Sequence, residues 1–316
     1  MESHDLIIVG AGAAGLTAGI FAARRGLNTL IISKDLGGQA STTPDIENYP
    51  GLDLLEGLDL MKKFESQAKT VGARIKYEEV KEIKKSGDLF VITTPHFEHQ
   101  ATAVILAFGK TPSDLNVPGE AKFKGEHIHY AALRSADEYH NKTVAIIGGA
   151  NTAAQAAITL AGVAKKVTLL CREATMRCEK ILLDRLLAKA DIVEIIYNCA
   201  VKSFNGDTKL DTITVEIDGH EKKIEADDCF IGVGYSNKTD WVKELVATDK
   251  IGQIIIEPDC STSTPGIFAA GDVTTIPYKQ VVISAGEGAK AAIAANYYIA
   301  KQSGRSAVTI DWGAVK

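Results

Sequence analysis

Asp5-Leu6-Ile7-Ile8-Val9-Gly10-Ala11-Gly12-Ala13-Ala14-Gly15 stands at the head of the chain and decides how the rest is read. Leu6 to Val9 is a short apolar run of the kind found in a parallel strand buried on both faces. Leu16 to Arg25 continues with helix-forming residues until Gly26 stops the helix. Between strand and helix, Gly10, Gly12 and Gly15 fit G-x-G-x-x-G. The first glycine permits a tight turn, the second lets a pyrophosphate approach the backbone, and the third lets helix and strand pack closely. The free N–H groups of the helix start, around Ala13 and Ala14, are then available to phosphates. The same motif also occurs in ordinary strand-turn-helix packing, so its weight depends on what else the chain carries.

A second copy supplies that weight. Thr143-Val144-Ala145-Ile146-Ile147-Gly148-Gly149-Ala150-Asn151-Thr152-Ala153 repeats strand, turn and helix, and a further strand, Lys166 to Cys171, follows. Ala150 departs from the pattern by placing a methyl where the second glycine allows the closest phosphate approach. Arg172 and Arg177 follow the next strand, where guanidinium groups bind an adenosine 2′-phosphate, and this favours NADP over NAD. Glu173 and Glu179 are near enough in sequence to pair with them instead. In the first copy, Ser33, Lys34 and Asp35 occupy the place of an acidic ribose ligand, so that contact is not fixed by the sequence.

The chain of 316 residues has room for two domains, and 46% hydrophobic residues supply their cores. A net charge of −5 with scattered Lys and Arg argues against a nucleic-acid surface. The apolar runs are strand-length, far short of a membrane span, and the amino-terminal segment lacks the pattern of a signal peptide, which gives a cytoplasmic expectation. The five cysteines, Cys171, Cys178, Cys199, Cys229 and Cys260, form no C-x-x-C and no metal-ligand spacing. His96, His99, His127 and His129 have no cysteine or carboxylate partners at ligand spacing and are assigned to packing or surface; no metal is expected.

Further polar segments surround these turns. Gly37, Gly38 and Gln39, then Thr43 and Glu47 to Gly51, are rich in amides, hydroxyls and turn residues and can hydrogen-bond a polar ring system. The strand Ala103 to Phe108 ends in Gly109, where backbone can again lie close to a ligand. Hairpins are expected at Ser86-Gly87-Asp88 and at Asn205-Gly206. Two prolines between Thr111 and Gly119 mark a domain crossing, and the chain crosses back near Gly234 to Asn237. Towards the end, Gly271-Asp272 follows a strand, Lys279-Gln280-Val281 precedes an Ala-rich helix from about Ser284 to Ala300, and Asp272 can bind sugar-alcohol hydroxyls.

Taken together these segments resemble the thioredoxin-reductase-like family of flavoproteins, including the reductase component of alkyl hydroperoxide reductase. The resemblance rests on both glycine turns, Gly37-Gly38-Gln39, Ile46 to Gly51, Asn116-Val117-Pro118-Gly119-Glu120, Phe268 to Asp272 and Tyr278-Lys279-Gln280. It implies an α/β fold of two Rossmann-like, three-layer dinucleotide-binding domains, with a discontinuous FAD domain (1–113 and 248–316) and an inserted NAD(P) domain (114–247). It also implies FAD and NADPH, or NADH, as cofactors, and a homodimer.

By the same resemblance, the FAD site draws on Gly10, Gly12, Ala13, Ala14, Gly15, Gly38, Gln39, Thr43, Asn48, Gly109, Gly271, Asp272, Lys279, Gln280 and Val281. The nucleotide site draws on Gly148, Gly149, Asn151, Thr152, Ala153, Arg172 and Arg177, with Glu173 where the family has a second arginine. The family's redox-active cysteines correspond to Ala131 and Arg134, so the chain resembles a subgroup without the dithiol and no catalytic side chain is assigned. The expected activity is therefore that of an NAD(P)H oxidoreductase with a non-disulfide acceptor: ferredoxin or flavodoxin, a quinone, or dioxygen. Two alternatives stay open, a non-catalytic flavin-binding sensor or scaffold and a disulfide reductase working through an external thiol.

Overall fold

The structure is a computed structural model describing residues 2–43, 46–130 and 136–305. The apolar run at the head of the chain lies within a longer strand, β1 (Glu2–Ala11), which leads into α1 (Ala13–Arg24), β2 (Thr29–Leu36), α2 (Gly57–Thr70) and β3 (Arg74–Tyr77). The expected hairpin follows as β4 (Glu82–Ser86) and β5 (Leu89–Thr93), and then β6 (Glu98–Leu106). The chain leaves through β7 (Thr111–Pro112) and builds α3 (Glu120–Phe123), β8 (Ile128–Tyr130), β9 (Thr143–Ile147), α4 (Asn151–Leu160), β10 (Lys166–Leu170), α5 (Lys180–Leu187) and β11 (Val193–Ile196). An antiparallel excursion, β12 (Cys199–Asn205), β13 (Thr212–Ile217) and β14 (His220–Glu225), precedes β15 (Asp228–Ile231), and the chain returns through β16 (Tyr235–Ser236) to β17 (Ile267–Ala269) and α6 (Val281–Gln302).

Two compact units result: residues up to Thr111 together with those from Ser236 on, and the inserted Pro112–Tyr235. The return lies at Tyr235/Ser236, within the Gly234 to Asn237 crossing and ahead of the domain bound expected at residue 248. The reason is packing, because Val242 and Val246 are buried with Ile7 and Val9 of β1, with Trp241 and Leu245 against them. Those side chains complete the core of the first unit.

In the first unit the sheet runs β3-β2-β1-β6-β5-β4, with β17 also on β6. Strands β3, β2, β1, β6 and β17 are mutually parallel. Since β1 takes one edge of β6 along its length, β5 and β17 share the other: Phe90 pairs with Ala101, and Ile267 with Val104. Alternation sorts β1 between two cores. Leu6 and Ile8 pack with the alanines of α1 and α6, while Ile7 and Val9 meet Ile83, Phe90 and Ile92 of the hairpin on the opposite face.

The inserted unit has three layers. Its parallel sheet, β11-β10-β9-β15-β8, lies between α4 and α5 on one side and the three-stranded β12-β13-β14 sheet on the other. The second hairpin of that excursion was not expected from the sequence. It turns on Asp218-Gly219, both left-handed at φ 49° and 80°, a pair suited to a type I′ turn between alternating strands. The Asn116-Val117-Pro118-Gly119-Glu120 segment also gains a physical role. The buried Glu120 carboxylate accepts hydrogen bonds from the N–H groups of Leu115 (2.9 Å) and Asn116 (2.6 Å) and from the Tyr130 hydroxyl (2.6 Å), pinning the loop that enters this unit.

Helices α1 and α6 touch at backbone level, since a Cβ on Gly288 would lie 2.0 Å from the Ala14 carbonyl oxygen. Gly288→Ala is therefore expected to force the helices apart and lower stability by about 1–3 kcal/mol, measured by urea unfolding.

Candidate functional site

At the first glycine turn the three glycines have separable roles. Gly10 has φ 113°, and a Cβ there would lie 2.3 Å from the Ala107 carbonyl oxygen; a Cβ on Gly15 would lie 1.8 Å from the carbonyl oxygen of Gly10. Both positions are closed to a side chain by the protein's own backbone. Gly12 differs, because its nearest neighbour would be the Gly37 oxygen at 3.8 Å. Its missing Cβ leaves open space where a bound group can approach. Gly12 is also the N-cap of α1 and no side chain caps the helix, so the first-turn N–H groups remain available to an anion. Ala13 and Ala14 are buried and contribute through backbone.

Around this turn the fold gathers the other residues expected of the first site. Gly37 donates its N–H to the Ala11 carbonyl (2.8 Å). Gly38 is left-handed at φ 52° with nothing near a notional Cβ, as is Gly109 at φ 64°. The Gln39 amide donates to the Lys110 carbonyl (3.2 Å), tying the polar segment to the end of β6, and the Thr43 carbonyl accepts from the Gly57 N–H (2.9 Å). Asn48 Nδ2 donates to Gln280 Oε1 at 3.1 Å, joining two amides 232 positions apart in sequence.

Beyond β17, Gly271 packs so closely on α1 that a Cβ would lie 2.9 Å from that of Ala14. It delivers Asp272, whose Oδ1 accepts from Ser284 Oγ (2.9 Å) while the second oxygen keeps acceptor capacity. Lys279 donates to the Thr274 carbonyl (2.7 Å); burial, then nearby Lys110, holds its amine below the usual lysine range. Val281 begins α6 just after the extended N-cap Gln280. This set fits FAD: an open glycine and uncapped helix start for a pyrophosphate, a carboxylate with free acceptor capacity for hydroxyls, and an amide cluster for a polar ring.

The inserted unit repeats the arrangement. Gly148 has φ 150°, and a Cβ there would lie 2.5 Å from the Gly232 oxygen; one on Gly149 would lie 2.7 Å from Cys171 Sγ. Ala153 is buried against Gly148 and Gly232, so it serves helix-strand packing. Ala150 is the extended, uncapped N-cap of α4, directly before Asn151 and Thr152. Asn151 and Glu179 are bonded both ways, Nδ2 to Oε1 (2.9 Å) and Glu179 N to Oδ1 (2.8 Å). Arg177 donates its backbone N–H to the Gly149 carbonyl (2.6 Å), which fixes it beside the turn. Its guanidinium and that of Arg172 both reach Glu173 Oε1, each at 3.4 Å. All three side chains are largely exposed, so these pairs hold weakly and yield readily to a stronger anion.

The thiols are not arranged for exchange chemistry. All five cysteines are free, and only Cys178 is partly exposed. Burial, with Cys171 nearby, pushes the Cys199 thiol up to about 11, and burial also raises Cys229 and Cys260. Ala131 and Arg134, at the positions expected for the family's dithiol, lie outside the described residues. His127 Nδ1 and His129 Nε2 face the buried Asp228 carboxylate at 3.4 and 3.5 Å, where Lys142 also donates at 2.7 Å. This places both histidines in the packing of the inserted unit.

Residues 4–296 match the family described as pyridine nucleotide-disulphide oxidoreductase. The chain belongs to that family. Among its relatives, thioredoxin reductase of Treponema pallidum is 36% identical over 300 residues, covering 94% of this chain and 97% of the relative. A Clostridium pasteurianum protein described as the 34.2 kDa protein in rubredoxin operon is 35% identical over 299 residues, covering 93% and 97%. Of solved structures, thioredoxin reductase of Lactococcus lactis has a TM-score of 0.87 at 29% identity, covering 94% of this chain and 99% of that one. That of T. acidophilum has a TM-score of 0.84 at 33% identity, covering 96% and 99%. The fold is accordingly that of two dinucleotide-binding domains, and the cofactors of this thioredoxin-reductase-like family are FAD and NADPH.

Two outcomes are expected. Gly12→Ala should keep the unfolding midpoint while weakening FAD at least about tenfold, about 1.4 kcal/mol, by flavin titration of the apoprotein. Glu173→Gln should release both arginines and raise the ratio of NADPH to NADH kcat/KM several-fold, by steady-state kinetics with ferricyanide.

Proposed function

We propose that the protein is an FAD-dependent NAD(P)H oxidoreductase whose electron acceptor is not a protein disulfide. The observation that carries this reading is the conjunction of two glycine turns, each with the backbone closeness that dinucleotide binding requires, with a sequence that contains no C-x-x-C. The first unit would hold FAD, through Gly10, Gly12, Gly15, Asp272 and the Gln39, Asn48 and Gln280 amides. The inserted unit would hold NADPH through Gly148, Gly149 and Asn151, with Arg172 and Arg177 exchanging Glu173 for the 2′-phosphate.

Bound there, FAD supplies a ring that accepts a hydride from reduced nicotinamide and gives up electrons singly or in pairs. The chain's own contribution is positioning. Asp272, held by Ser284, orients a hydroxylated chain, and the amide pair Asn48-Gln280 offers both a donor and an acceptor to a heterocycle. Hydride transfer needs no general acid or base, so positioning is the contribution this chemistry asks of the chain. Ferredoxin or flavodoxin, a quinone or dioxygen are the acceptors in view. Five free thiols support a cytoplasmic setting.

Anaerobic mixing of the FAD-loaded protein with NADPH is expected to bleach the flavin absorbance, faster than NADH does, and turnover with ferricyanide should survive replacement of all five cysteines by serine. Absence of bleaching with either nucleotide would remove the enzyme reading, and loss of turnover in the cysteine-free protein would restore a thiol route.

A further inference from the structure

The far end of β1, away from the glycine turn, carries a second cluster. In the parallel register of β1 and β6, Glu2 pairs with His99, and His4 lies two residues along on the same face of β1 as Glu2. One ligand atom from each of Glu2, His4 and His99 lies within 4.8 Å of the others. Glu2 Oε2 is 3.8 Å from both His4 Nε2 and His99 Nδ1. The two imidazoles are almost fully buried, His4 4% and His99 2% exposed. Neither ring nitrogen of His99, nor Nε2 of His4, has a hydrogen-bond partner among the described residues. Buried polar groups are rarely left so, and three in one place call for a ligand. An open cavity of about 750 Å³ adjoins them, lined by Glu2 and His99 together with Lys76, Thr94 and Phe97.

We propose that Glu2, His4 and His99 form a three-ligand site for a divalent ion of the zinc class, with its remaining coordination position open to this cavity. Two imidazoles and one carboxylate are the nitrogen and oxygen donors such an ion takes, and three protein ligands leave a fourth position for water or a small anion. Burial, then Arg74, keeps His4 below the usual histidine range, and burial, then Lys76, does the same for His99, so both rings are neutral and hold a lone pair. The exposed Glu2 carboxylate, 3.8 Å from a ring nitrogen of each histidine, can move inward to meet an ion held by the two imidazoles.

Arg74 is the competitor. Its guanidinium, which can only donate, faces His4 Nδ1 at 3.0 Å and also pairs with Glu2. In the metal-free protein this fixes the His4 proton on Nε2. Metal at Nε2 needs the other tautomer: the ring gives up its Nε2 proton and takes one up at Nδ1, with no net release. Nδ1 then turns from Arg74 to the side chain of Asn28, already within reach of His4 and 3.1 Å from Arg74, as its acceptor.

The test uses untagged, FAD-loaded full-length protein stripped with a chelator and titrated with Co²⁺. One ion per chain and the visible absorption of a tetrahedral Co²⁺ centre are expected, and Zn²⁺ should abolish that absorption by displacement. Glu2→Gln, at an exposed side chain, should weaken binding about tenfold or more, and His99→Gln should abolish it. Arg74→Gln should tighten it. The proposal is overturned when the wild type takes up no Co²⁺, or when Glu2→Gln binds it as the wild type does; the exposed position of Glu2 keeps that second arm valid even where His99→Gln does not fold. Since the readout is metal binding and not turnover, the result is independent of the function proposed above.

Discussion

The carbonyl oxygen of Gly10 lies where the first side-chain carbon of any other residue at position 15 would have to be, 1.8 Å away. Much of the first unit follows from this approach. It draws the start of α1 down onto β1, and a second approach of the same kind, Gly288 against the Ala14 carbonyl, draws α6 down onto α1. Between these two helices and the sheet, small residues such as Ala18, Ala291 and Ala295 are fully buried. The closeness that makes the packing dense also brings Gly271 against Ala14 and sets Asp272 beside the turn. Packing and binding are thus the same constraint, and Gly12 alone among the turn glycines is spared for the ligand side.

The parts of the fold that were legible in the sequence are those whose physical cause is local. Backbone contact at a turn demands glycine, so both turns announce themselves, and a strand buried on both faces reads as an unbroken apolar run. The Asp218-Gly219 hairpin carried an equally local signal and was still missed beside Asn205-Gly206, because His220 to Glu225 is mostly exposed and shows no apolar alternation. The turn residues from Gly234 to Asn237 mark the return to the first unit, whereas the domain bound at residue 248 lies late because Val242 and Val246 belong with Ile7 and Val9, a partnership no local pattern reveals.

The sites divide in the same way. Asn48 and Gln280 were each singled out by residue type, but that they bond one another depends on the whole first unit. Arg172 and Arg177 are legible as phosphate ligands and Glu173 and Glu179 as partners for them; that Glu173 alone takes both guanidiniums on one oxygen while Glu179 bonds Asn151 required the structure. Glu2, His4 and His99 left no trace in spacing, because what brings them together is the parallel register of two strands far apart in sequence. In the sequence His99 has no carboxylate at ligand spacing; in the fold Glu2, from the start of the chain, supplies one.

The shared edge of β6 has a consequence for how the protein is made. One half of that edge is filled by β5, available early in synthesis, and the other by β17, which together with α6 is among the last elements to be translated. The inserted unit is therefore complete as a chain while the first still lacks a strand and its longest helix. During synthesis, the Val104 to Leu106 stretch of that edge has no strand to pair with until the whole inserted unit has been made.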